Sequence, residues 1–571
     1  MADSEPVRAE TQPEQAAQTA SRLATAIAAH KAGRLEDAIS GYRTVLEQVP
    51  DHVDALTNLG VALRARGDGE AAIAVYGQAL AAEPGHANAN YNLGNAYRAI
   101  GNNESAVVHF RAAIAAQPGY LDAYANLALT LRDLKRLDEA LAAAEAGLRA
   151  LPGAAKLWAN LGAVLWAKAQ PESAITAYRR ALSLEPNSAT AHLDVAQIHY
   201  RLGDYVEATR HAERALTLDA GLADAHTVTA KCLTAHGQFE NALAQLERAQ
   251  AIDPGNLTAR LNKALTLLLK GELGTGFQAY ECRWQLDDLT RPEFDQPRWD
   301  GGALEGKRLL LVHEQGLGDV IQAVRYAPML VERGARVIVQ CQPPLVHLLS
   351  TAAGVDAVVA EGEPLPAFDI HASMLDLPAL LGTEEASIPS IVPYLALPEG
   401  STPEDENTST RRPLRIGIAW AGKPSHNNDA NRSCDLDRFR PLLGIPGTRF
   451  YGLQVGPRAR DIAERGLGAM ITDLSGRIGD FLDTARLVAK LDLVIAVDTA
   501  VVHLAGAFAR PVWTMLPHAP DWRWMYDRTD SPWYPTMRLY RQPAPRDWTP
   551  VVDKIATDLK AMVEARGSGG F

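Results

Sequence analysis

The chain has 571 residues, several times the size of a usual domain, of which 47% are hydrophobic and 22% charged. These values exclude a wholly disordered or collagen-like chain and predict two or more globular domains. The 56 basic and 68 acidic residues give a net charge of −12, which argues against a general binder of phosphate backbones. Four widely spaced cysteines without a CxxC pair argue against a disulfide framework or a zinc ribbon and favour a reducing compartment.

Residues 1–18 form a polar N-terminal tail without the apolar core of a secretory signal. No uninterrupted apolar run in the sequence reaches the roughly 20 residues that a membrane-spanning helix needs. We therefore expect a cytoplasmic protein with no membrane span.

A 34-residue period governs residues 19–290. Its register is set by a Leu followed by a small residue, by a later Ala and by a Pro, as in Leu59-Gly60, Ala72 and Pro84. This pattern resembles the tetratricopeptide repeat, with seven units between residues 19 and 256 and a degenerate cap after them. The resemblance implies an all-α superhelix, in which small residues let paired helices approach and Pro ends each second helix.

The position before each Leu-Gly pair is polar in most units, as Asn58, Asn92, Asn126, Asn160, Asp194 and Asn262. Side-chain amides offer paired donors and acceptors that suit an extended peptide backbone. The repeats resemble those of O-GlcNAc transferase, where such an asparagine ladder holds substrate chains. We therefore expect these side chains to bind an acceptor protein on the concave face, although a tolerated polar surface residue is the plainer interpretation.

Two α/β segments follow the repeats. Residues 291–306 form a linker rich in Trp, Pro and Gly, and residues 399–413 form a polar linker. In residues 307–398 and 414–565 apolar runs alternate with helical stretches, which predicts a parallel sheet in each. Two such domains facing a cleft resemble the GT-B glycosyltransferase arrangement of two Rossmann-like domains. The first would be the acceptor side and the second the nucleotide-sugar side, followed by a short tail at 566–571.

The seven predicted strands begin with Arg308–Val312 and Ala335–Gln340 and end with Asp492–Val497 and Pro511–Leu516. The final helix, residues 551–565, is expected to cross back over the first α/β domain.

The first chemical motif, His-Glu-Gln-Gly-Leu-Gly-Asp-Val at residues 313–320, lies where a strand ends and a helix begins. It resembles the Gly-Asp-x-Ile loop of the ADP-heptose:lipopolysaccharide heptosyltransferases. That resemblance assigns the catalytic base to Asp319. The alternative is that Asp319 only caps the helix.

The second motif, residues 497–506, follows an apolar strand and opens a helix. It resembles the Asp-Thr-Gly-x-x-His-Leu-x-Ala block of the same family, which implies donor binding by Asp498, Thr499, Ala500 and His503. Backbone N–H groups at the helix start would receive the donor phosphate. Ala500 stands where the family has Gly, and His503 taken alone is more typical of a packed core histidine.

The third element is the loop of residues 420–433, which leaves the first strand of the second domain. Heptosyltransferases place a cation here to balance the leaving phosphate, which implies Arg432 first and Lys423 second. A solvated loop charge is the alternative for Lys423. Asp435 and Asp437 have the DxD spacing of metal-dependent transferases, but they open a predicted helix, so we expect capping and no metal site.

Aromatic residues crowd the segment 520–535, with Trp522, Trp524 and Trp533 among them. They are expected either to stack on a base or sugar or to pack the joint between the last helix and the sheet.

The combination resembles bacterial tetratricopeptide proteins with a heptosyltransferase-like half, of the class that attaches nonulosonic acids such as pseudaminic acid to flagellin. The resemblance implies a glycosyltransferase without a resident cofactor, using a CMP-nonulosonate or an ADP-heptose type donor. Flagellin would bind the repeats, and no nucleic-acid partner is expected. Two alternatives stay open, a non-catalytic tetratricopeptide adaptor and a heptosyltransferase acting on lipopolysaccharide.

Overall fold

The structure, a computed structural model, describes residues 12–287, 289–398, 412–426 and 428–567. The chain divides into two compact units, residues 1–198 and 199–571. Most of the predicted N-terminal tail, the 399–413 linker and the C-terminal tail lies outside the described residues. Residues 12–18, assigned to the tail from the sequence, belong to the first helix.

The first unit is a run of helices that pack in consecutive pairs. They are α1 Gln12–Lys31, α2 Leu35–Gln48, α3 Val53–Arg66, α4 Gly69–Ala82, α5 Ala87–Ala99, α6 Asn103–Ala116, α7 Leu121–Asp133, α8 Leu137–Ala150, α9 Ala155–Ala167, α10 Pro171–Leu184 and α11 Ala189–Arg201, within which the unit ends. Each pair corresponds to one predicted repeat.

Glycine and an aromatic ring form a matched pair inside the repeats. A Cβ added to Gly60 would lie 2.4 Å from the ring of Tyr76, and one added to Gly162 would lie 2.5 Å from the ring of Tyr178. The repeat that has Ala128 in the glycine position has Ala144 in the aromatic position, and both are fully buried. The two positions therefore share one fixed volume between paired helices. This explains why a small residue at one position is found with a large ring at the other, or an alanine with an alanine.

The second unit continues the repeats and then forms two sheets. Its repeat helices are α12 Tyr205–Leu218, α13 Ala223–Ala235, α14 Phe239–Ile252, α15 Leu257–Lys270 and α16 Leu273–Ala279, followed by a 3-10 helix at Tyr280–Gln285. The predicted series of seven repeats and a cap thus ends in this unit.

The first sheet has four parallel strands in the order β3-β2-β1-β4. The strands are β1 Arg308–Val312, β2 Arg336–Cys341, β3 Ala357–Ala360 and β4 Ile370–Ser373. The helices beside them are α17 Leu317–Ala323, α18 Ala327–Glu332, α19 Val346–Leu349 and α20 Leu377–Leu380.

The second sheet has six parallel strands in the order β10-β9-β8-β5-β6-β7. The strands are β5 Leu414–Ala419, β6 Thr448–Gly452, β7 Ile471–Asp473, β8 Leu493–Val497, β9 Val512–Leu516 and β10 Met537–Arg541. The helices are α21 Asp429–Arg432, α22 Arg440–Leu443, α23 Asp461–Glu464, α24 Phe481–Val488, α25 Ala500–Ala507 and α26 Thr549–Gly567.

Both sheets reverse strand order beside their first strand, as a Rossmann sheet does, so a crevice opens between β1 and β4 and between β5 and β8. The predicted fold class, helical repeats followed by α/β domains, is confirmed. The prediction for the final helix is wrong. Helix α26 packs on the second sheet, where Val551, Val552 and Ile555 join the core formed by Ile416 and Leu493.

Among the described residues, no helix combines the length and the apolar character that crossing a membrane requires.

The shared volume of glycine and ring predicts opposite effects for two Gly→Ala changes in the first unit. Gly162→Ala should lower the free energy of unfolding by about 1–3 kcal/mol, because the new methyl group overlaps the Tyr178 ring. Gly77→Ala, in the exposed middle of α4 with nothing within 4 Å, should raise it by about 0.5–1 kcal/mol. Guanidinium unfolding followed by circular dichroism measures both, and equal effects of the two changes would contradict the shared volume.

Candidate functional site

Three predicted motifs lie at the carboxyl ends of strands beside the two crevices. Residues 313–320 follow β1, residues 420–433 follow β5, and residues 498–503 follow β8. Since ligands of open parallel sheets bind at these ends, the topology brings the motifs to one place in the second unit.

The first motif is held by the end of the repeat array. The guanidinium of Arg283, in the 3-10 helix after α16, makes two hydrogen bonds of 3.0 and 2.7 Å to the carboxylate of Glu314. It donates a third, of 2.6 Å, to Asp376 after β4. All three side chains are buried, and Gln315 donates to the hydroxyl of Tyr280 at 3.0 Å. The loop before Asp319 is therefore fixed by charges and amides from the last repeat.

Asp319 bonds to the start of helix α17 and also forms an ion pair. One carboxylate oxygen accepts from the backbone N–H of Gly316 at 2.6 Å, and the other is paired with Arg523. Its side chain keeps 19% of its surface accessible. Gly316 is therefore the N-cap, and Asp319, the third residue of the helix, bonds back to it as in a capping box. The role of Asp319 as a base stays a prediction.

Arg523 is the buried cation of this region. Its guanidinium binds Asp319 and Asp521, and its Nε donates to the amide oxygen of Gln322 at 2.7 Å. It also lies 4.3 Å from the ring centroid of Trp522. Arg523 therefore links the start of α17 in the first domain to the aromatic segment of the second.

The second motif starts helix α25 at the edge of the cleft. Thr499 is its N-cap, and the Thr499 hydroxyl is buried without a hydrogen-bond partner in the described chain. Asp498 before it is partly buried. Burial, and then the nearby Asp521 carboxylate, raise the pKa of Asp498 to about 6, although the positive charges of Arg432 and Arg523 lower it. The arrangement offers free helix N–H groups and an unused hydroxyl to an anionic ligand.

The starts of α17 and α25 touch at one glycine. A Cβ on Gly318 would lie 2.9 Å from Cδ2 of His503 and 3.4 Å from Cα of Ala500. The close backbone approach is therefore made by Gly318 across the cleft, with Ala500 on the facing helix.

His503 lies in the core. Only 5% of its surface is accessible, its Nδ1 is 3.0 Å from the hydroxyl of Tyr534, and its ring packs on Trp524 with centroids 5.2 Å apart. Burial lowers the pKa of His503 well below its usual range. This placement favours packing between the two helices over direct contact with a donor.

The two predicted cations of the third loop differ in their surroundings. Arg432 is largely buried, and its guanidinium lies over Gly422, where a Cβ would meet Nη2 at 2.5 Å. Its Nε has no hydrogen-bond partner among the described residues, and Asp429 lies 3.6 Å away. Lys423 is exposed. Arg432 is thus placed for an anion, and Lys423 fits a solvated loop charge.

The DxD pair caps a turn. Asp435 accepts from the backbone N–H of Asp437 at 2.9 Å, and both carboxylates pair with Arg465. The predicted cap is therefore present.

A cavity of about 450 Å³ joins the last repeats to this site. The repeats contribute Tyr200, Arg201, Lys231, Asn262 and Thr266, and the second α/β domain contributes His426, Arg432, Asp498, Asp521 and Trp522. Predicted acceptor-side and donor-side residues thus line one space.

The three tryptophans have different positions. Trp522 lines the cavity and packs edge-on against Phe277 of the last repeat, with centroids 5.2 Å apart. Trp524 and Trp533 are fully buried. The packing interpretation therefore holds for these two, while Trp522 is also buried but lies at the cavity wall.

The asparagine ladder is only partly free. Asn160 is buried and its amide donates to the carbonyl of Ala125 at 3.2 Å, so the expectation of an exposed ladder is wrong at this position. Asn126 donates to Tyr91 and to Asn95. Both amides join neighbouring repeats, which explains part of the periodic pattern without a ligand. Asn58 and Asn92 are partly exposed, as is Asp194.

Burial raises the pKa of Asp194 to about 6, although a hydrogen bond from Tyr178 opposes the shift. Asn262, in the second unit, donates to the carbonyl of Thr258 at 2.8 Å.

Sequence reasoning missed Lys231, His426, Arg283 and Arg523. Burial lowers the pKa of the cavity-lining His426, with Arg432 adding to the shift. A signal existed for Arg523, since a lone arginine among tryptophans is typical of a desolvated contact. Lys231 and Arg283 lie within helices of the repeat region, and only the tertiary structure brings them to the site.

Family models match both halves of the chain. The model described as tetratricopeptide repeat matches residues 23–87, 63–120, 91–155, 160–223 and 230–281. The model described as glycosyltransferase family 9 (heptosyltransferase) matches residues 456–524, which include Asp498 and Arg523. The chain thus combines tetratricopeptide repeats with a segment that matches part of the glycosyltransferase family 9 model.

Among curated proteins the chain resembles Protein FlbA of Caulobacter vibrioides (strain ATCC 19089 / CIP 103742 / CB 15). The two are 29% identical over 326 residues, which are 52% of this chain and 54% of that protein. The chain therefore spans about half the length of the curated relative that it matches.

Among solved structures, a tetratricopeptide repeat protein from Parabacteroides merdae ATCC 43184 is 16% identical, with a TM-score of 0.39 over 44% of this chain and 98% of that one. The MamA protein is 26% identical, with a TM-score of 0.28 over 30% and 94% of the two chains.

Because its pKa is raised, the ionised Asp498 side chain should lower the free energy of unfolding, and the effect should depend on pH. Above about pH 6 the folded protein holds a partly buried carboxylate that the unfolded chain would solvate, so stability falls as pH rises from the ordinary pKa of 3.8 to about 6 and then levels off. Asp498→Asn should therefore raise the free energy of unfolding by about 1–3 kcal/mol at pH 7.5. The gain should vanish near pH 4.

Thermal unfolding at the two pH values measures this difference. The matched control is Asp369→Asn, because the hydrogen bond from Arg308 lowers the pKa of Asp369 to about 2 and gives the opposite sign. A gain from Asp498→Asn that is the same at both pH values would contradict the assignment.

Proposed function

We propose that the protein is a protein O-glycosyltransferase that moves a sugar from a nucleotide-activated donor to Ser or Thr of flagellin. The sugar is a nonulosonic acid such as pseudaminic acid, supplied as a CMP-nonulosonate, with an ADP-heptose type donor as the alternative. The repeats bind the acceptor protein, the first α/β domain forms the acceptor side of the cleft, and the second α/β domain binds the donor.

One observation carries this proposal: the shared cavity of about 450 Å³ between repeat and α/β residues. An enzyme that modifies a protein chain needs its acceptor groove to open at the donor site, and Asn262 and Asp498 line the same space. The glycosyltransferase family 9 match supports a sugar donor on the α/β side.

The donor phosphate fits the second domain. The N–H groups at the start of α25 and the Thr499 hydroxyl offer hydrogen bonds, and Arg432 supplies a positive charge. As the acceptor oxygen bonds to the anomeric carbon, the bond from that carbon to the phosphate oxygen breaks. The nucleotide leaves with the electron pair, and Arg432 offsets its charge.

The proton of the acceptor hydroxyl passes to a carboxylate. Asp319 is the base that the motif indicates. One of its carboxylate oxygens must first lose its hydrogen bond, either from the Gly316 N–H or from Arg523, before it can receive the proton. Asp498 is the second candidate, because it lines the cavity and its pKa of about 6 is closer to neutrality.

Asp319→Asn should reduce transfer to flagellin by about 10²–10⁴-fold, because the amide keeps the shape of the side chain and cannot accept the proton. Release of free nucleotide from CMP-nonulosonate in the presence of flagellin measures the rate. Asp369→Asn is the matched control, since Asp369 also pairs with an arginine but lies at the amino end of β4.

Retained turnover in Asp319→Asn together with loss in Asp498→Asn would assign the base to Asp498. If the wild-type protein released no nucleotide with either donor type, the alternative of a non-catalytic tetratricopeptide adaptor would be favoured. Transfer to lipopolysaccharide instead of flagellin would identify a heptosyltransferase.

Replacing Asn58 and Asn92 together with Ala should weaken flagellin binding by about five-fold or more, since each lost hydrogen bond contributes about 0.5–1.5 kcal/mol. These two amides are partly exposed, and Ala favours the helix. A binding titration against flagellin, beside a thermal melt, measures the effect. Asn241→Ala, on an exposed second helix, is the control, and unchanged affinity in the double variant would place the acceptor elsewhere.

A further inference from the structure

The repeat wall of the cavity carries a lysine that has no carboxylate partner among the residues that the structure describes. Lys231 lies in α13, and its Nζ is 4.1 Å from the ring centroid of Tyr200. In the described parts of the chain it forms no ion pair with a carboxylate, and the charged groups that act on it are the basic Arg201 and the thiol of Cys232. Arg201 lines the same wall.

An ammonium group in this environment lowers the stability of the protein when no ligand is bound. Burial, and then the neighbouring Arg201, lower the pKa of Lys231 to about 8. Buried ammonium groups in proteins are normally paired with a carboxylate or another anion. The geometry therefore leaves one place on the repeat wall where a negative group would be stabilised.

This anion is distinct from the donor phosphate. The phosphate position has its own partners on the α/β wall, namely Arg432 and the start of α25. In the seventh repeat the position that holds Asp194 and Asn262 in the neighbouring repeats is occupied by Val228. Lys231 lies three residues beyond it and so on the same face of the helix. A second negative group must reach it from the sugar or from the acceptor.

We infer that Lys231 is a specificity residue whose ammonium binds the carboxylate of an acidic donor sugar, so that the repeat array itself selects a sugar acid over a neutral heptose. The inference rests on the proposed function, since it assigns one part of the donor in that cavity. It gives the seventh repeat a role in donor choice besides any role in holding the acceptor.

Calorimetric titration of the full chain with CMP-N-acetylneuraminate and with CMP tests the carboxylate site directly. Wild-type protein should bind the sugar acid about ten-fold tighter than CMP, the usual size of a charge-assisted contact. Lys231→Met should lose this preference and leave CMP binding unchanged. Lys231→Arg should keep most of it, because the charge remains.

Two control variants test whether the effect is specific to the charge of Lys231. Lys560→Met removes an exposed lysine of α26 that does not line the cavity, and it should behave as the wild type. Arg432→Ala should weaken both ligands alike, since its partner is the phosphate. The melting temperature of Lys231→Met should not fall, because the variant removes a half-buried charge that pairs with no carboxylate among the described residues.

Equal affinity of Lys231→Met and wild type for CMP-N-acetylneuraminate would overturn the inference, and so would a wild type that does not prefer the sugar acid over CMP. A Lys231→Met variant that loses only flagellin affinity would assign the carboxylate to the acceptor and also overturn it. Preference for the sugar acid without transfer to any protein would sustain the Lys231 site and reject the proposed transferase, so the two failures are distinguishable.

Discussion

The salt bridges of Arg283 hold the repeat array and the first motif together. This guanidinium, the carboxylates of Glu314 and Asp376, and Arg298 form a network of two positive and two negative charges, almost all buried. Ser373 adds a hydrogen bond of 2.7 Å to Glu314. Removing one partner of a buried pair typically costs about 3–5 kcal/mol, because the other charge is left without compensation. The loop that carries Asp319 is therefore as rigid as the end of the array.

This anchoring explains why the last repeats and both α/β domains form one compact unit, residues 199–571. Phe239 packs edge-on against Tyr526 with centroids 5.5 Å apart, and the side-chain amide of Asn431 donates to the carbonyl of Arg201 at 3.3 Å. The later repeats are thus structural neighbours of the cleft, and their side chains can act within it.

Much of the fold follows from the sequence because its signals are local. The 34-residue period identifies the helices, and the apolar runs identify β1, β2 and β8. Three strands were missed for physical reasons. Strand β4 contains His371 and Ser373, which are buried although polar, and β7 has only three residues. Strand β10 is an edge strand in which Arg538 and Arg541 interrupt the apolar residues, so it has no continuous apolar run.

The site was predictable only where a motif lies on a strand end. Arg432 and Asp498 could be placed by that rule, and both line the cavity. His503 was ambiguous because helical spacing cannot distinguish a ligand from a core residue. Asn126 and Asn160 follow the ladder period, yet their amides join repeats, so one periodic position serves two purposes. Lys231 has no sequence signal, since its environment is created by Tyr200 and Arg201 of the preceding repeat.

The neutral state of His503 follows from the same crowding that makes the cleft suitable for an anion. Helices α17 and α25 begin side by side at Gly318, and each contributes the positive end of its backbone dipole. Arg523 and Arg325 add their charges around the imidazole. Among the described residues only arginines act on the charge of His503, so burial and repulsion keep the ring neutral, bonded to the hydroxyl of Tyr534. The imidazole therefore adds no further positive charge to the core, and Arg432 presents its charge on the cavity wall, where a ligand can reach it.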